Sequence, residues 1–463
     1  MVVEKFRLPF FDRNGELARL KAAFADAGSA LVVIYGRRRC GKSRLLLESL
    51  DPSRDVYFQA DLRDAAVQRQ ALAREIARRI PRFDSVLYPE WSAILEAWRE
   101  RAPAGAILAI DELPYLVQIA PELPSVFQRL VETRSTGPLR IVLCGSSQRM
   151  MYGLALDAAA PLYGRAREVL KVEPLAAKWI RNALHLDDRQ AVEAYSVWGG
   201  LPRNWELAAA HKGTGAAMKA LILDKAGILH GEPPRLLLDD LRSAVQAGSI
   251  LSLVGAGAHR IGEIAARLGR PVTALTRPLA LLVDLGYIRR EVPFGESPLS
   301  SRRSLYRIAD PFVEFWYRFV QPAGSLLEMD LVDEVHSRIR AELPSHVAEV
   351  WEHLARRSVP RLPIDGVTWG PASRWWGNDL AGRSVEVDVA AESLDGHHVL
   401  VGEAKWSARR QTAGVIARLR ELSPKLPFVR GHTVHLAAWV RDEERESFEE
   451  VSLIGPCATL DAS

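Results

Sequence analysis

Val32-Val33-Ile34-Tyr35-Gly36-Arg37-Arg38-Arg39-Cys40-Gly41-Lys42-Ser43-Arg44-Leu45-Leu46 holds the pattern Gly-x-x-x-x-Gly-Lys-Ser between an apolar, β-rich run and the start of a helical pattern. A phosphate-binding loop requires that order of strand, loop and helix. The glycines let the backbone curl so that its N–H groups face phosphate oxygens, and the helix opened by Lys42 and Ser43 adds the positive end of its dipole. Lys42 is expected to reach the β- and γ-phosphates and Ser43 to ligate Mg²⁺. The expected nucleotide contacts are therefore Gly36, Arg37, Arg38, Arg39, Cys40, Gly41, Lys42, Ser43 and Arg44. ATP and Mg²⁺ are the cofactors this implies.

A second apolar run, Ala106-Ile107-Leu108-Ala109-Ile110, ends in Asp111-Glu112. Such a run reads as a buried parallel strand, and carboxylates at its C-terminal end face the crevice where ligands bind in open α/β sheets. Asp111 is expected to hold the Mg²⁺ and Glu112 to polarise an attacking water. A third strand, Leu139 to Gly145, runs into Ser146-Ser147, either of which suits a hydrogen bond to the γ-phosphate or the water. Serine is also an ordinary turn residue.

The 463 residues allow about three domains. With 48% hydrophobic and 25% charged residues the composition is that of a globular chain, not a disordered one. No run is long and apolar enough for a membrane span, and Met1 to Leu8 lacks a signal-peptide pattern. Cys40, Cys144 and Cys457 have no metal spacing and fit a reducing, cytoplasmic setting. A net charge of +4 does not by itself imply nucleic acid.

Residues 1–210 alternate strand-like and helix-like segments, the mark of a parallel sheet covered by helices, here with a helical lid. Residues 211–325 contain a different order. Ile261–Leu268 and Val272–Leu285 read as two helices, and Tyr287–Val292 and Ser304–Ile308 as a hairpin. Helix, turn, helix and hairpin make a winged helix-turn-helix arrangement. Between 245 and 310 there are nine arginines against five acidic residues, a surplus suited to phosphate contact. Arg277, Arg302 and Arg303 are the expected DNA contacts. Modules of this type also serve as lids or protein-docking surfaces.

Residues 326–463 carry a third pattern. Leu343–Arg357 is helical, and Ser384–Val389 alternates so that Val385, Val387 and Val389 face a core and Asp388 the opposite side. A second strand, His398–Gly402, leads to Glu403-Ala404-Lys405. Glu403 and Lys405, two apart, share a strand face and can converge with Asp388. Two carboxylates can hold a divalent ion on a phosphodiester while a lysine offsets developing charge. An exposed hairpin of alternating charge has the same spacing.

Together, Tyr-Gly-Arg-Arg-Arg-x-Gly-Lys-Ser, Ile-Asp-Glu-Leu-Pro-Tyr-Leu, Cys-Gly-Ser-Ser, Leu-Tyr-Gly-Arg and Gly-Gly-Leu-Pro resemble the archaeal-type P-loop ATPases related to the AAA+/STAND group. The segment from Tyr306 to Tyr317 resembles them as well, and Asp388 with Gly402-Glu403-Ala404-Lys405-Trp406 resembles their restriction-endonuclease-like, PD-(D/E)xK domain. The resemblance implies an α/β chain of three parts: a P-loop ATPase domain, a winged-helix domain and an α/β nuclease-like domain. It implies a sensor role for Ser146 or Ser147 and a γ-phosphate or inter-subunit role for Arg165, the second of which would make the chain a homo-oligomer. It implies Asp388 and Glu403 as metal ligands, Lys405 as a catalytic cation, and Glu349 as a fourth member, with Glu352 one turn later as its substitute.

The expected function is an ATP-hydrolysing enzyme that acts on DNA, with a Mg²⁺-dependent nuclease-like site. The alternative is a nucleotide-controlled switch that binds DNA or a protein partner and cuts nothing. A metabolic kinase gives no account of the second and third parts.

Overall fold

A computed structural model describes residues 8–25, 28–132, 138–155, 157–158, 160–241, 243–407, 412–442 and 450–463. Its first sheet has five parallel strands, β1 (Ala30–Tyr35), β2 (Val56–Gln59), β3 (Leu108–Asp111), β4 (Arg140–Gly145) and β5 (Glu168–Lys171), in the order β2-β3-β4-β1-β5. Leu31 and Val33 bury on one face, and Val32 and Ile34 on the other. Burial on both faces is why these strands are apolar throughout and not alternating. β4 lies between β1 and β3, pairing Tyr35 with Gly145 and Ile110 with Leu143. The ends of the three strands, and the loops they launch, therefore stand side by side.

The second unit is helical. The helix Asp188–Trp198 opens with a capping box in which Asp187 accepts from the Gln190 N–H and the Gln190 side chain accepts from that of Asp187. Further along come the helices Ala244–Gly255, Ile261–Arg267 and Thr276–Asp284, then an antiparallel hairpin of β6 (Ile288–Glu291) and β7 (Leu305–Ile308). The expected single helix from Val272 is divided: Val272–Ala274 is one turn of 3-10 helix, and the α-helix starts at Thr276. Pro278 has no N–H to donate and is tolerated in a first turn, which favours the later start.

The C-terminal part is built on one long helix, Val332–Ser358, which begins well before the expected Leu343 and carries Pro344 inside it. Val335, Ile339, Val347, Val350, Trp351 and Leu354 are all buried along it. That continuous apolar stripe offsets the roughly 3 kcal/mol that an interior proline costs. The helix packs on a second sheet, β8 (Ser373–Asn378), β9 (Ser384–Glu392), β10 (His398–Lys405), β11 (Thr433–Val440) and β12 (Val451–Ile454), in the order β12-β11-β10-β9-β8. β9 is antiparallel to both of its neighbours, β8 and β10, while β10, β11 and β12 run parallel. The helix Thr412–Leu422 covers the other face, and one apolar core runs from Leu175 to Leu460 through the lid helices, the hairpin unit and this sheet.

One register detail corrects the strand reading. β9 gains a residue against β8: Ser373 pairs with Ala390 but Trp375 pairs with Val387. Val385 and Val387 pack with the helix Thr412–Leu422, whereas Val389 and Ala391 pack toward the long helix. The three valines therefore do not share one face. A bulge shifts the alternation beside Asp388, and bulges bend a strand and re-aim its side chains. No helix among the described residues is long and apolar enough to cross a membrane.

Candidate functional site

A cavity of about 610 Å³ opens over the ends of β1, β3 and β4, lined by Lys42, Ser43, Glu112 and Ser146 on one side. Gly41, in the left-handed region, starts the helix Lys42–Ser49, as a phosphate loop requires. Gly36 is fixed more strictly. With φ at +151°, its Cβ position lies 2.3 Å from the Val172 carbonyl oxygen, where no side chain fits. Gly36→Ala is expected to push the loop off β5, lower the melting temperature and abolish its rise on adding nucleotide. Thermal melts with and without ATP check this; an undiminished nucleotide shift would refute it.

The carboxylates meet the loop in a defined hydrogen-bond set. The Ser43 hydroxyl donates to Asp111 Oδ2 at 2.5 Å, and the Tyr57 hydroxyl donates to the same oxygen at 2.8 Å. Burial and the Asp111 charge push the Tyr57 phenol well up, so it stays a donor. The buried Lys42 ammonium donates to the Arg37 carbonyl at 3.0 Å. Glu112 sits at φ +54°, and its Oε2 accepts the Ser146 hydroxyl at 2.8 Å. Ser43 and Asp111 are oxygen donors suited to a Mg²⁺ that keeps several waters and binds phosphate.

Phe10, Phe11, Leu175, Pro202 and Leu207 form the apolar side of the same cavity, and Arg203 and Glu206 face it as well. The sequence reading gave none of these a role. The signal available was Leu201-Pro202-Arg203 following the glycine pair, with Pro202 opening the helix Pro202–Ala208. Arg38, Arg39, Cys40 and Arg44 also line the cavity. Ser147 and Arg165 are not among its lining residues. Arg165 pairs with Glu132 at 2.5 Å, at the end of the helix Leu123–Glu132, and donates to the Tyr163 carbonyl. Arg37 and Arg39 are corrected in part: their backbone belongs to the loop, but their guanidinium groups pair with Asp310 and Glu232 of the second unit.

A second polar cluster lies on the C-terminal sheet. The bulged β9 presents Asp388, and β10 presents Glu403 and Lys405. Lys405 Nζ is 2.8 Å from Glu403 Oε1 and 3.8 Å from Asp388 Oδ2, and Arg418 reaches Glu403 at 3.1 Å. Asp388 Oδ2 also accepts the Ala404 N–H at 3.0 Å. Burial, and then the Asp388 charge, raise both Glu403 and Glu352, the latter to about 7. Glu352 thus faces Asp388, with Arg356 and Arg374 each 3.8 Å from its carboxylate. Glu349 is corrected: it pairs with Arg307 and Arg318 at 3.1 and 2.7 Å, on the hairpin side of the helix. Two carboxylates with waters suit Mg²⁺, although among the described residues no three His, Cys, Asp or Glu side chains are grouped as a metal cage.

The arginines expected on DNA divide likewise. Arg277, Arg302 and Arg303 are all exposed. Arg303 in addition has partners within the chain, where it pairs with Glu296 and donates to the Trp376 carbonyl of β8. Nearby, the Phe294 N–H donates to the Arg374 carbonyl, and its ring stands edge-on to Phe428. The hairpin is therefore docked on the C-terminal sheet.

The parallel sheet, the loop and the paired carboxylates define a P-loop ATPase domain. Residues 10–207 match the family described as an ATPase domain predominantly from Archaea, and residues 316–416 match a family of archaeal and bacterial proteins of unknown function. The chain is 28% identical over 405 residues to the uncharacterized protein MJECL04 of Methanocaldococcus jannaschii, covering 86% of this chain and 87% of that one. Its fold is similar to that of the Walker-type ATPase PABY2304 of Pyrococcus abyssi, with a TM-score of 0.51 at 22% identity, over 67% of this chain and 96% of that one.

Proposed function

We propose that the chain is an ATP-driven enzyme acting on DNA, in which residues 211–325 form a winged-helix module and the C-terminal sheet carries a metal-dependent phosphodiesterase site. The observation that supports the second site is the meeting of Asp388, Glu403 and Lys405 across β9 and β10, within 3.8 Å. At the first site, Ser43 and Asp111 would hold Mg²⁺, Lys42 would neutralise the β- and γ-phosphates, and Glu112 would accept a proton from water. Ser146 orients Glu112 for that task. At the second, Asp388 and Glu403 would hold a divalent ion, which polarises the phosphodiester when bound. Lys405 would offset the charge developing on the phosphate oxygens, Arg356, which donates to the Asp388 carbonyl, would steady Asp388, and Glu352 would be the fourth member of the site. Exposed Arg277 and Arg302 would contact phosphates. Arg165 would bridge subunits only by leaving Glu132.

The test is incubation of the full chain with supercoiled and linear DNA in Mg²⁺ or Mn²⁺, with and without ATP. Asp388→Ala is expected to abolish cutting and leave ATP hydrolysis intact; equal loss of both would refute separate sites. The docked hairpin favours a second reading, a nucleotide-controlled switch. Its mark would be tightly retained ADP, slow turnover and no cleavage with any metal.

A further inference from the structure

The four residues between Gly36 and Gly41 are tied to the second unit at two points. Arg37 pairs with Asp310 at 2.9 Å, and the two side chains are only 6% and 3% exposed. The same guanidinium lies over the Tyr287 ring, 4.9 Å from its centre. Two residues further on, Arg39 pairs with Glu232 at 3.0 Å, and Glu232 is 3% exposed. Neither acid belongs to the ATPase domain, and neither lines the cavity.

Each partner is held firmly from its own side. Asp310 caps the helix Pro311–Phe315, its Oδ1 accepting the Val313 N–H at 3.1 Å. Gly199, at φ +62°, passes so close that a Cβ there would lie 2.9 Å from that oxygen. Glu232 opens the helix Glu232–Asp240. Arg37 also faces the nucleotide side, because its carbonyl accepts the Lys42 ammonium at 3.0 Å. One residue thus joins the second unit, through its side chain, to the lysine on which phosphate binding depends. Arg39 does line the cavity, and alongside burial the nearby Arg38, Arg203 and Arg235 lower its affinity for its proton.

We propose that Asp310 and Glu232 are positioning residues of the nucleotide site. Acting through Arg37 and Arg39, they hold the phosphate loop, so that nucleotide binding and docking of the helix-hairpin unit form one coupled equilibrium. The reason is the burial of the pairs. A charge left unpaired in such a place is strongly unfavourable, so the loop and Asp310 move together or not at all. Coupling of this kind is reciprocal: docking raises nucleotide affinity by the factor by which nucleotide favours docking. The inference rests on the assignment of the cavity as the nucleotide site.

The experiment titrates the full chain with fluorescent ADP and ATP analogues, in wild type and in Asp310→Asn, Glu232→Gln, Arg37→Gln and Arg37→Lys, with Lys42→Ala as control. Asn keeps the helix cap and removes only the charge. Asp310→Asn and Arg37→Gln are expected to weaken nucleotide binding by roughly 5- to 150-fold, the usual span for coupled sites. KM should rise more than kcat falls, and Arg37→Lys should bind more tightly than Arg37→Gln. In wild type, nucleotide should slow amide exchange in 232–240 and 305–315; in Asp310→Asn it should not. A folded Asp310→Asn with native affinity, while Lys42→Ala binds nothing, would overturn the inference and spare the site. If Asp310→Asn fails to fold, Glu232→Gln and the two Arg37 variants decide, and native affinity in Glu232→Gln and Arg37→Gln overturns it. Equal binding by Lys42→Ala and wild type would instead overturn the site assignment.

Discussion

Glu112→Gln is expected to slow ATP hydrolysis by about 10²–10⁴-fold, the span usual for loss of a general base, while nucleotide affinity stays at the wild-type level. The amide has nearly the shape of the carboxylate and can still accept from Ser146, which in wild type donates to Oε2 at 2.8 Å. It cannot take a proton from water. Lys42, Ser43 and the loop N–H groups, which carry phosphate binding, are untouched. The backbone supports the assignment: Glu112 holds φ at +54° between β3 and the helix Leu113–Ile119. A non-glycine residue in that region stores roughly 1–3 kcal/mol, and such strain gathers where function needs a side chain aimed. Phosphate release measured beside an equilibrium titration separates the two effects. Hydrolysis at the wild-type rate would remove Glu112 from the chemistry and leave Asp111 alone at the end of β3.

The largest expected effect on stability comes from Glu291, on the hairpin. Its carboxylate lies 2.8 Å from Arg289, 3.5 Å from Arg307 and 3.8 Å from Arg356, and its side chain is 13% exposed. Glu291→Gln leaves these buried cations without their shared anion, a change that costs about 3–5 kcal/mol when a buried pair loses one partner. Against the opposing effect of burial, the three arginines hold Glu291 far below the ordinary carboxylate range. A depressed folded-state value means that the contribution is complete above the unfolded value of about 4.3 and is lost as pH falls below it. The gap between wild type and Glu291→Gln in denaturant melts should therefore be constant near neutrality and close progressively in acid. Glu314 works in the opposite sense. Burial pushes it up to about 7, so the folded state keeps a proton that the unfolded chain has lost, and its contribution declines as pH rises from about 4.3 to about 7. A gap between wild type and Glu291→Gln that stayed unchanged down to strongly acid pH would show that Glu291 binds its proton equally in the folded and unfolded states and is not held down by the arginines.

Arg356 bonds both to this hairpin and to the acidic cluster. It reaches Glu291 and Glu352, and it also donates to the Asp388 carbonyl at 2.8 Å. Damage at Glu291 should therefore be felt at Asp388 without any contact between them. The hairpin arginines also hold the unit together. Arg303 and the neighbouring Phe294 are used to seat the hairpin on β8, while Arg277 and Arg302 are exposed.

Features encoded in contiguous residues were legible from the sequence. The loop Gly36–Ser43, the strand ending in Asp111-Glu112 and the strand ending at Ser146 each declare themselves by apolar run, glycine spacing and polar tip. A parallel sheet needs nothing further to bring its strand ends together. Tertiary structure decided what depends on rotation, register and distance. Glu349 and Glu352 lie three apart on one helix, and packing of the Val332–Ser358 stripe turned the first to Arg307 and Arg318 and the second to Asp388. A single inserted residue in β9 set the face of Asp388, and no alternation pattern reveals a bulge in advance. Arg37 and Arg39 read as phosphate contacts because the loop motif is local, while the acids that claim them, Asp310 and Glu232, lie far along the chain. Spacing fixes which residues share a turn; only the packed core, running from Leu175 to Leu460, fixes which charges meet across it.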